Sequence, residues 1–361
     1  MQFTDVFACF IFFENALGAD KRLELLVTLI LAFLIDSTVG EPPESIHPVV
    51  IIGKVIGKLK KLLMHQNPLV EKFNGIILAI STVIMFVIPF YFLLVSVRLF
   101  LGIIASILLA AYLLKITLSM KFFISLITPI ANTLERNDIE DARKLVSRVV
   151  GRDTSTLDNR LVVSATVETT AEGIPDSLTS PIFYFALFGI FGVIIGVAGA
   201  LAFRAISTLD SMVGYKDPEN VNIGMVSAKL DDAANFIPAR LSAFLIVVAS
   251  IFLRENYKNS WRIMWRDSST TSSINSGWGM AAIAGALSIQ LEKPGNYLLG
   301  DSIDQLDNSH IFRSIKLLQL TVVLFLLFVC VPLILISPYV SNSLTNFIDV
   351  LTGTILTSSY K

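Results

Sequence analysis

Apolar blocks of unequal length alternate with polar stretches along this chain, and their lengths decide what each block can do. Residues 75–97 run for 23 positions without a charge. That is enough to cross a hydrocarbon core of about 30 Å at about 1.5 Å per helical residue. Arg98 interrupts the run and the apolar block 99–114 follows up to Lys115, so the two predict a helical hairpin. A third apolar stretch, Ile116 to Ile130, is broken by Lys121. Residues 317–337 predict another span, kinked near its end by Pro332. Three blocks are too short to span alone: 23–35, the stretch from Val6 to Leu17 with Glu14 inside it, and 241–253. No small-residue cleavage site after a basic start marks the N-terminal stretch as a cleaved signal peptide.

The block 181–203 is long enough to cross but holds Gly189, Gly192, Gly196 and Gly199. Gly192 and Gly196 form a GxxxG, which permits close helix contact in lipid. Loop topology adds a sharper expectation. The polar regions 36–74, 131–180, 204–240 and 254–316 each contain several Lys or Arg residues, so all four are expected on the cytoplasmic side. They can share a side only if 181–203 and 241–253 do not each cross once. One or both should dip in and return or pack as buried helices, with a reversal at Gly192 to Gly199. Within 131–180, residues 138–150 predict an amphipathic helix capped by Asp138, with Ile139, Ala142, Leu145, Val146 and Val149 on one stripe. The expected fold is an all-α polytopic helical membrane protein with polar catalytic loops and short or re-entrant apolar helices.

Composition sharpens this picture. The 361 residues are 54% hydrophobic and 16% charged, with a mean hydropathy of +0.71. Soluble domains average about a quarter charged, so the apolar excess belongs to spans within a single polytopic unit. A net charge of −1 gives no electrostatic case for nucleic-acid binding. Cys9 and Cys330 sit in separate apolar runs and the three histidines are scattered, which argues against zinc.

The polar regions carry the chemistry. The segment 151–160 sets Arg152, Asp153, Asp158 and Arg160 among hydroxyls. Glu168, Glu172 and Asp176 then recur every four residues; the first two share a helix face, and Pro175 is expected to end that helix before Asp176. A solvated face is the ordinary reading of such acids, but their neighbours are Ala, Val and Thr and supply no helix-local cation. In the third region Asp231, Asp232 and Asn235 lie within about one helical turn and offer oxygen ligands suited to Mg²⁺. Lys216, Lys229 and Arg240 supply cations for an anionic ligand, and Gly214 and Gly224 mark turns. No Walker A motif or GxGxxG is present.

The run 34–56, with Asp36, Gly40, Pro42, His47, Pro48 and Gly53, resembles the N-terminal signature of the CobD/CbiB family of cobalamin-biosynthesis membrane proteins. GRDTSTLD (151–158) and VETTAEGIPDSLTSPIF (167–183) resemble its next blocks. ISTLDSMVGYK (206–216), with Asp210, and AKLDDAANFIPARL (228–241) are similar to its most characteristic ones, and SINSGWGMAAIAGAL (273–287) to its last. The resemblance covers roughly residues 23 to 320. It departs at Gly173, where members usually have Asn, at Ile274, where they have Pro, and at 270–273, where a basic or His residue is missing.

What the resemblance implies is ATP-dependent joining of adenosylcobyric acid to (R)-1-amino-2-propanol or its O-phosphate. Cofactors would be ATP and Mg²⁺, and other membrane enzymes of the corrinoid pathway would be candidate partners beside the lipid bilayer. Asp231, Asp232 and Asn235 would serve Mg²⁺–ATP; Arg152, Lys216 and Arg240 would serve phosphate, with Asp153 and Asp210 in the same nucleotide-binding set. Glu168, Glu172 and Asp176 would be catalytic, the first two as metal ligand or general base, and His47 is a catalytic or a turn histidine. The domain expectation is an N-terminal extension 1–22, one membrane domain 23–340 and a tail 341–361. A transporter or sensor is the rival reading, and it requires carboxylates at the midplane of the spans.

Overall fold

The computed structural model describes residues 20–340 apart from 44, 46 and 338, so the stretch from Val6 to Leu17, Cys9 and the tail 341–361 lie outside the described residues. Among the described residues, five helical stretches are long and apolar enough to cross a bilayer: Pro68–Glu135, Asn159–Phe191, Val193–Val213, Met225–Phe252 and Ser309–Ser337. The chain is thus a polytopic helical membrane protein.

Helix α1 (Lys21–Thr38) is capped by Asp20, and α2 (Pro48–Leu63) is capped by His47, whose Nδ1 accepts from Val49 N. Helix α3 (Pro68–Thr117) turns at Gly102, where φ is 86°, a backbone angle glycine adopts without strain. Its outer face shows bare apolar side chains such as Phe92 and Phe100, while Leu78, Thr82 and Phe86 face inward. Two ion pairs set this part of α3 against α1. Arg98 pairs with Glu24 at 2.6 Å near the start of α1, and Lys115 pairs with Glu41 at 2.7 Å just beyond its end. The return arm of α3 therefore runs beside α1 over its whole length. The charged residues at both ends join the helix, extending it to 18 residues, yet α1 is not among the stretches apolar enough to cross, in keeping with the short apolar run 23–35.

Helix α4 (Met120–Glu135) is capped from a distance, since Lys121 N donates to Asp36 Oδ2 at 3.0 Å while Ser119 makes no side-chain cap. Helix α5 (Ile139–Val146) begins at Asp138 as expected and buries Ala142 and Val146. Helix α6 (Asn159–Gly173) starts under an Asp158 cap and does not end at Pro175. It passes into a π-helical turn, Ile174–Thr179, and continues as α7 (Ser180–Phe188). The correction has a local cause: Pro175 sits in the first turn of the π segment, where its missing N–H is tolerated, and Ser180 N reaches back to Pro175 O.

The chain then reverses through Gly189–Phe191 and Gly192, where φ is 118°, into α8 (Val193–Val213). Tyr184 of α7 stacks on Phe203 of α8 at 5.5 Å. A Cβ added to Gly196 would lie 2.8 Å from Phe185 O, and one on Gly199 3.0 Å from Tyr184 O. These pairs run in opposite senses, so 181–203 is a helical hairpin and not one continuous helix. The turn falls at Gly189–Gly192, at the front edge of the expected window, because Gly196 and Gly199 serve close packing instead.

Helix α9 (Met225–Phe252) starts beside α8, where Gly224 abuts Val213 O. Its far end leads to Asn256, whose N donates to Ala286 O at 3.0 Å, and to Glu255, which pairs with Arg313. Helices α10 (Tyr257–Asp267) and α11 (Ser276–Leu287) fold back along it. Asn275, at the head of α11, reaches Asp232 O at 2.8 Å. Residues after α9 thus meet both of its ends, and Met225–Phe252, which contains most of 241–253, is itself long and apolar enough to cross. A β-hairpin follows, β1 (Gln290–Lys293) and β2 (Tyr297–Gly300), antiparallel with Leu291 opposite Leu299. The all-helical reading missed this small addition, although Pro294-Gly295-Asn296 is a turn signal. Helix α12 (Ser309–Phe325) continues to Ser337 through a π turn, Leu326–Cys330, just ahead of Pro332 where a kink was expected.

Candidate functional site

Three of the polar regions meet at one cavity of about 320 Å³, and Glu172, Asp176, Asp210, Lys216, Asp231, Asp232 and Asn235 all line it with Ser272, Ser273, Asn275 and Ser276. The unbroken π turn keeps Asp176 beside the face of Glu172. Helix α8 brings Asp210, whose carboxylate lies against the backbone at Gly214, where a side chain would collide with Asp210 Oδ1. Asp231 lies within electrostatic reach of Asp176 and Asp210, and Asp232 of Lys216.

Asn235, one turn along α9, donates from Nδ2 to Asp231 Oδ2 at 3.0 Å and accepts from Ser180 Oγ at 2.7 Å. Asp231 Oδ1 is buried with no hydrogen-bond partner. Packing carboxylates this closely with one oxygen left bare is costly unless a cation completes the site. Among the described residues no three His, Cys, Asp or Glu side chains form a ready-made metal cage. An open set of one or two carboxylates does fit Mg²⁺, which takes its remaining oxygens from phosphate and water.

Glu172 also lines a second cavity of about 90 Å³ with Arg152, Glu168, Thr169, Lys293 and Tyr297. Here Glu168 is saturated. It accepts from Ser164 Oγ at 2.7 Å and Tyr297 OH at 3.0 Å, and Arg152 lies 3.4 Å away. Burial and the neighbouring Glu168 and Glu172 carboxylates push the Tyr297 phenol above its ordinary pKa, so it remains a donor. Arg152 keeps Nε and Nη1 buried without partners. The β-hairpin is fastened by Glu292 N to Ser164 Oγ at 2.7 Å and by the Arg160–Glu292 pair, which holds Lys293 and Tyr297 at this wall.

The other expected site residues lie apart. Arg240 stands at the rim, bonded to Asn275 Oδ1 at 3.1 Å and stacked over Phe236. Asp153 is exposed and accepts from Ser155 N at 2.9 Å; that local turn bond holds its carboxyl below the usual range. His47 caps α2 and lies 3.2 Å from Glu41 Oε2, in a cluster with Lys115 outside the main cavity lining.

Sequence reasoning did not single out Tyr297, Lys293, Ser180 or Arg204. The first two ride on the missed hairpin; Ser180 and Arg204 carried no signal beyond being polar residues beside apolar blocks. The departures find physical settings too. A side chain at Gly173 would meet the Phe123 ring, with Cε2 2.6 Å from the added Cβ. Ile274 is exposed, yet its neighbour Asn275 still enters the cavity.

The family model described as CobD/Cbib protein matches residues 29–318. The chain is 42% identical over 299 residues to the probable cobalamin biosynthesis protein CobD of Methanothermobacter thermautotrophicus, covering 83% of this chain and 95% of that protein. It is 40% identical over 299 residues to the cobalamin biosynthesis protein CobD of Dehalococcoides mccartyi, covering 82% and 94% respectively. The corresponding protein of Thermoplasma acidophilum is 36% identical over 310 residues, covering 86% and 98%. No solved structure matches. With most of its length matched and relatives of the same extent, the chain belongs to the CobD/CbiB family of cobalamin-biosynthesis proteins.

Proposed function

We propose that this protein is a membrane-bound ligase that joins a carboxylate of adenosylcobyric acid to the amine of (R)-1-amino-2-propanol or its O-phosphate at the expense of ATP. The observation that carries this reading is the shared wall of the two cavities. Glu172 separates an acidic chamber with a bare Asp231 oxygen from a smaller chamber with an unfilled guanidinium edge on Arg152. Amide formation from a carboxylate needs those halves together, one for the activating nucleotide and one for a small polar amine.

Asp231 and Asp232 would hold Mg²⁺ with the nucleotide, with Asn235 fixing the rotamer of Asp231 and Lys216 meeting phosphate. The bound metal would supply charge neutralisation on phosphate oxygens. Glu172 would take the proton that the attacking ammonium must lose, because no described residue donates a hydrogen bond to its carboxylate and it faces both chambers. Glu168, already accepting from Ser164 and Tyr297, would position Arg152. Arg152 and Lys293 would meet the anionic end of a phosphorylated amine. The cavity side would face the cytoplasm, where ATP is supplied.

The rival reading as a transporter is disfavoured by depth. Asp176 lies 15 residues before the tip at Phe191, or about 22 Å along the helix, beyond the midplane of a core about 30 Å thick. The test is an assay of detergent-solubilised protein with adenosylcobyric acid, Mg²⁺, ATP and each amine. Formation of the amide product with release of ADP or AMP is expected, and no product with either amine removes the proposal.

A further inference from the structure

Arg204 lies on α8 between the hairpin tip and Asp210, and its guanidinium makes no hydrogen bond to any described residue. Its Nε is buried without a partner. Two acids lie within electrostatic reach of it: Asp176, which lines the main cavity, and Glu41 from the loop before α2. Neither is bonded to it. Glu41 is already engaged, accepting from Lys115 Nζ at 2.7 Å and lying 3.2 Å from His47 Nε2.

An arginine that serves only to neutralise a carboxylate normally closes a two-pronged bond with it. Arg204 closes no such bond, and it lies behind Asp176, which lines the acidic cavity. A buried Nε donor without a partner is unfavourable on its own, and an oxyanion taken by the guanidinium would satisfy it. The need for such a cation is local. An anion entering this cavity meets the carboxylates of Glu172, Asp176, Asp210, Asp231 and Asp232, while the cation in the lining, Lys216, is exposed at the surface.

We propose that Arg204 is an oxyanion receptor of the acidic cavity, taking a carboxylate or phosphate group of the bound substrate in its free fork. The identity of that group rests on the ligase reading above: it is the carboxylate of the acid substrate or a phosphate of the nucleotide. The receptor role itself does not require that reading.

The test uses the full chain in detergent and the variants Arg204→Lys and Arg204→Met. Calorimetric titration with Mg²⁺–ATP, with adenosylcobyric acid and with inorganic pyrophosphate separates the sources. Arg204→Lys, which keeps the charge and loses the fork, should weaken one of the first two ligands at least tenfold and leave the other within twofold. Loss of the nucleotide assigns phosphate; loss of the acid assigns carboxylate. If the wild type binds neither, the ligase reading fails, and the receptor still stands if pyrophosphate binds and Arg204→Met weakens it tenfold. A merely charge-balancing Arg204 makes a different prediction: the double variant Arg204→Met, Asp176→Asn should then regain binding and thermal stability together. Such a rescue, unchanged binding of every ligand in Arg204→Met, or no oxyanion binding by the wild type overturns the proposal.

Discussion

Asn235 holds Asp231 through a 3.0 Å bond from its Nδ2, while its Oδ1 receives Ser180. The carboxylate is thereby fixed by one oxygen and left bare at the other. Asn235→Leu should strand Ser180 and free Asp231 to rotate. We expect a stability loss of about 1–3 kcal/mol from the unpaired buried groups and a several-fold rise in the Mg²⁺ concentration for half-maximal activity. Thermal melting and a Mg²⁺ titration of the rate check both; an unchanged Mg²⁺ dependence would detach Asn235 from the metal.

The two glutamates of α6 should separate in function. Glu172 is free of hydrogen-bond donors among the described residues and faces both cavities, so Glu172→Gln is expected to lower kcat about 10²–10⁴-fold, as for loss of a general base. Glu168 is tied to Ser164 and Tyr297, and Glu168→Gln should act mainly on the KM of the amine through Arg152. Equal kcat losses in both variants would contradict the assignment.

Reversal at both hairpins returns the regions around Ser155 and Glu219 to one end, and the Asn275–Asp232 contact ties the segment around Ser269 to the same cavity. Cysteines introduced at the exposed positions Ser155, Glu219 and Ser269, in a background lacking Cys9 and Cys330, should label from the same face. A cysteine at Leu101, at the α3 tip, should label from the other. Gly196→Leu should disrupt the α7–α8 contact and reduce folded yield, since even a Cβ lies 2.8 Å from Phe185 O. Labelling of Ser155 and Glu219 positions from opposite faces would remove the α7–α8 hairpin.

Asp301 accepts from Arg266 and Arg262, which hold its carboxyl below the usual range. A depressed carboxyl stabilises the folded state above its unfolded pKa, about 3.9, and that contribution is lost as pH falls through the folded value. Asp301→Asn should therefore melt slightly lower than wild type near pH 7, and the gap should close below about pH 3.9. The pair is largely exposed, so salt should shrink the gap as well. A gap that persists at about pH 3 would point to another cause.

Distant capping is testable in α4. Asp36→Ala removes the acceptor for Lys121 N and should cost about 1 kcal/mol, whereas Asp36→Asn should retain most of it; the melting temperatures of the two variants decide.

The long spans, the α5 cap and the carboxylate set around Asp231 were legible because hydrophobic runs and helical spacing report directly on local geometry. The family blocks were legible as ordered motifs. What was not legible depended on tertiary partners. Pro175 reads as a helix end until the π turn absorbs it, and nothing in the run 23–35 announces that Glu24 meets Arg98. The saturation of Glu168 depends on Tyr297, from a strand about 130 residues later, and Arg204 is notable only for bonds it does not make. Spacing along one helix carries none of this.

The two glycine reversals also bear on how the chain enters a bilayer. The segments they send to the opposite face are small, residues 98–102 and 189–192, and neither contributes to the cavity. A lone arginine at bilayer centre costs about 2.5–3.5 kcal/mol, and Arg98 is matched by Glu24. Each antiparallel pair can therefore insert as a closed unit during biogenesis, with only its tip traversing the hydrocarbon. No loop bearing a cavity residue has to be translocated.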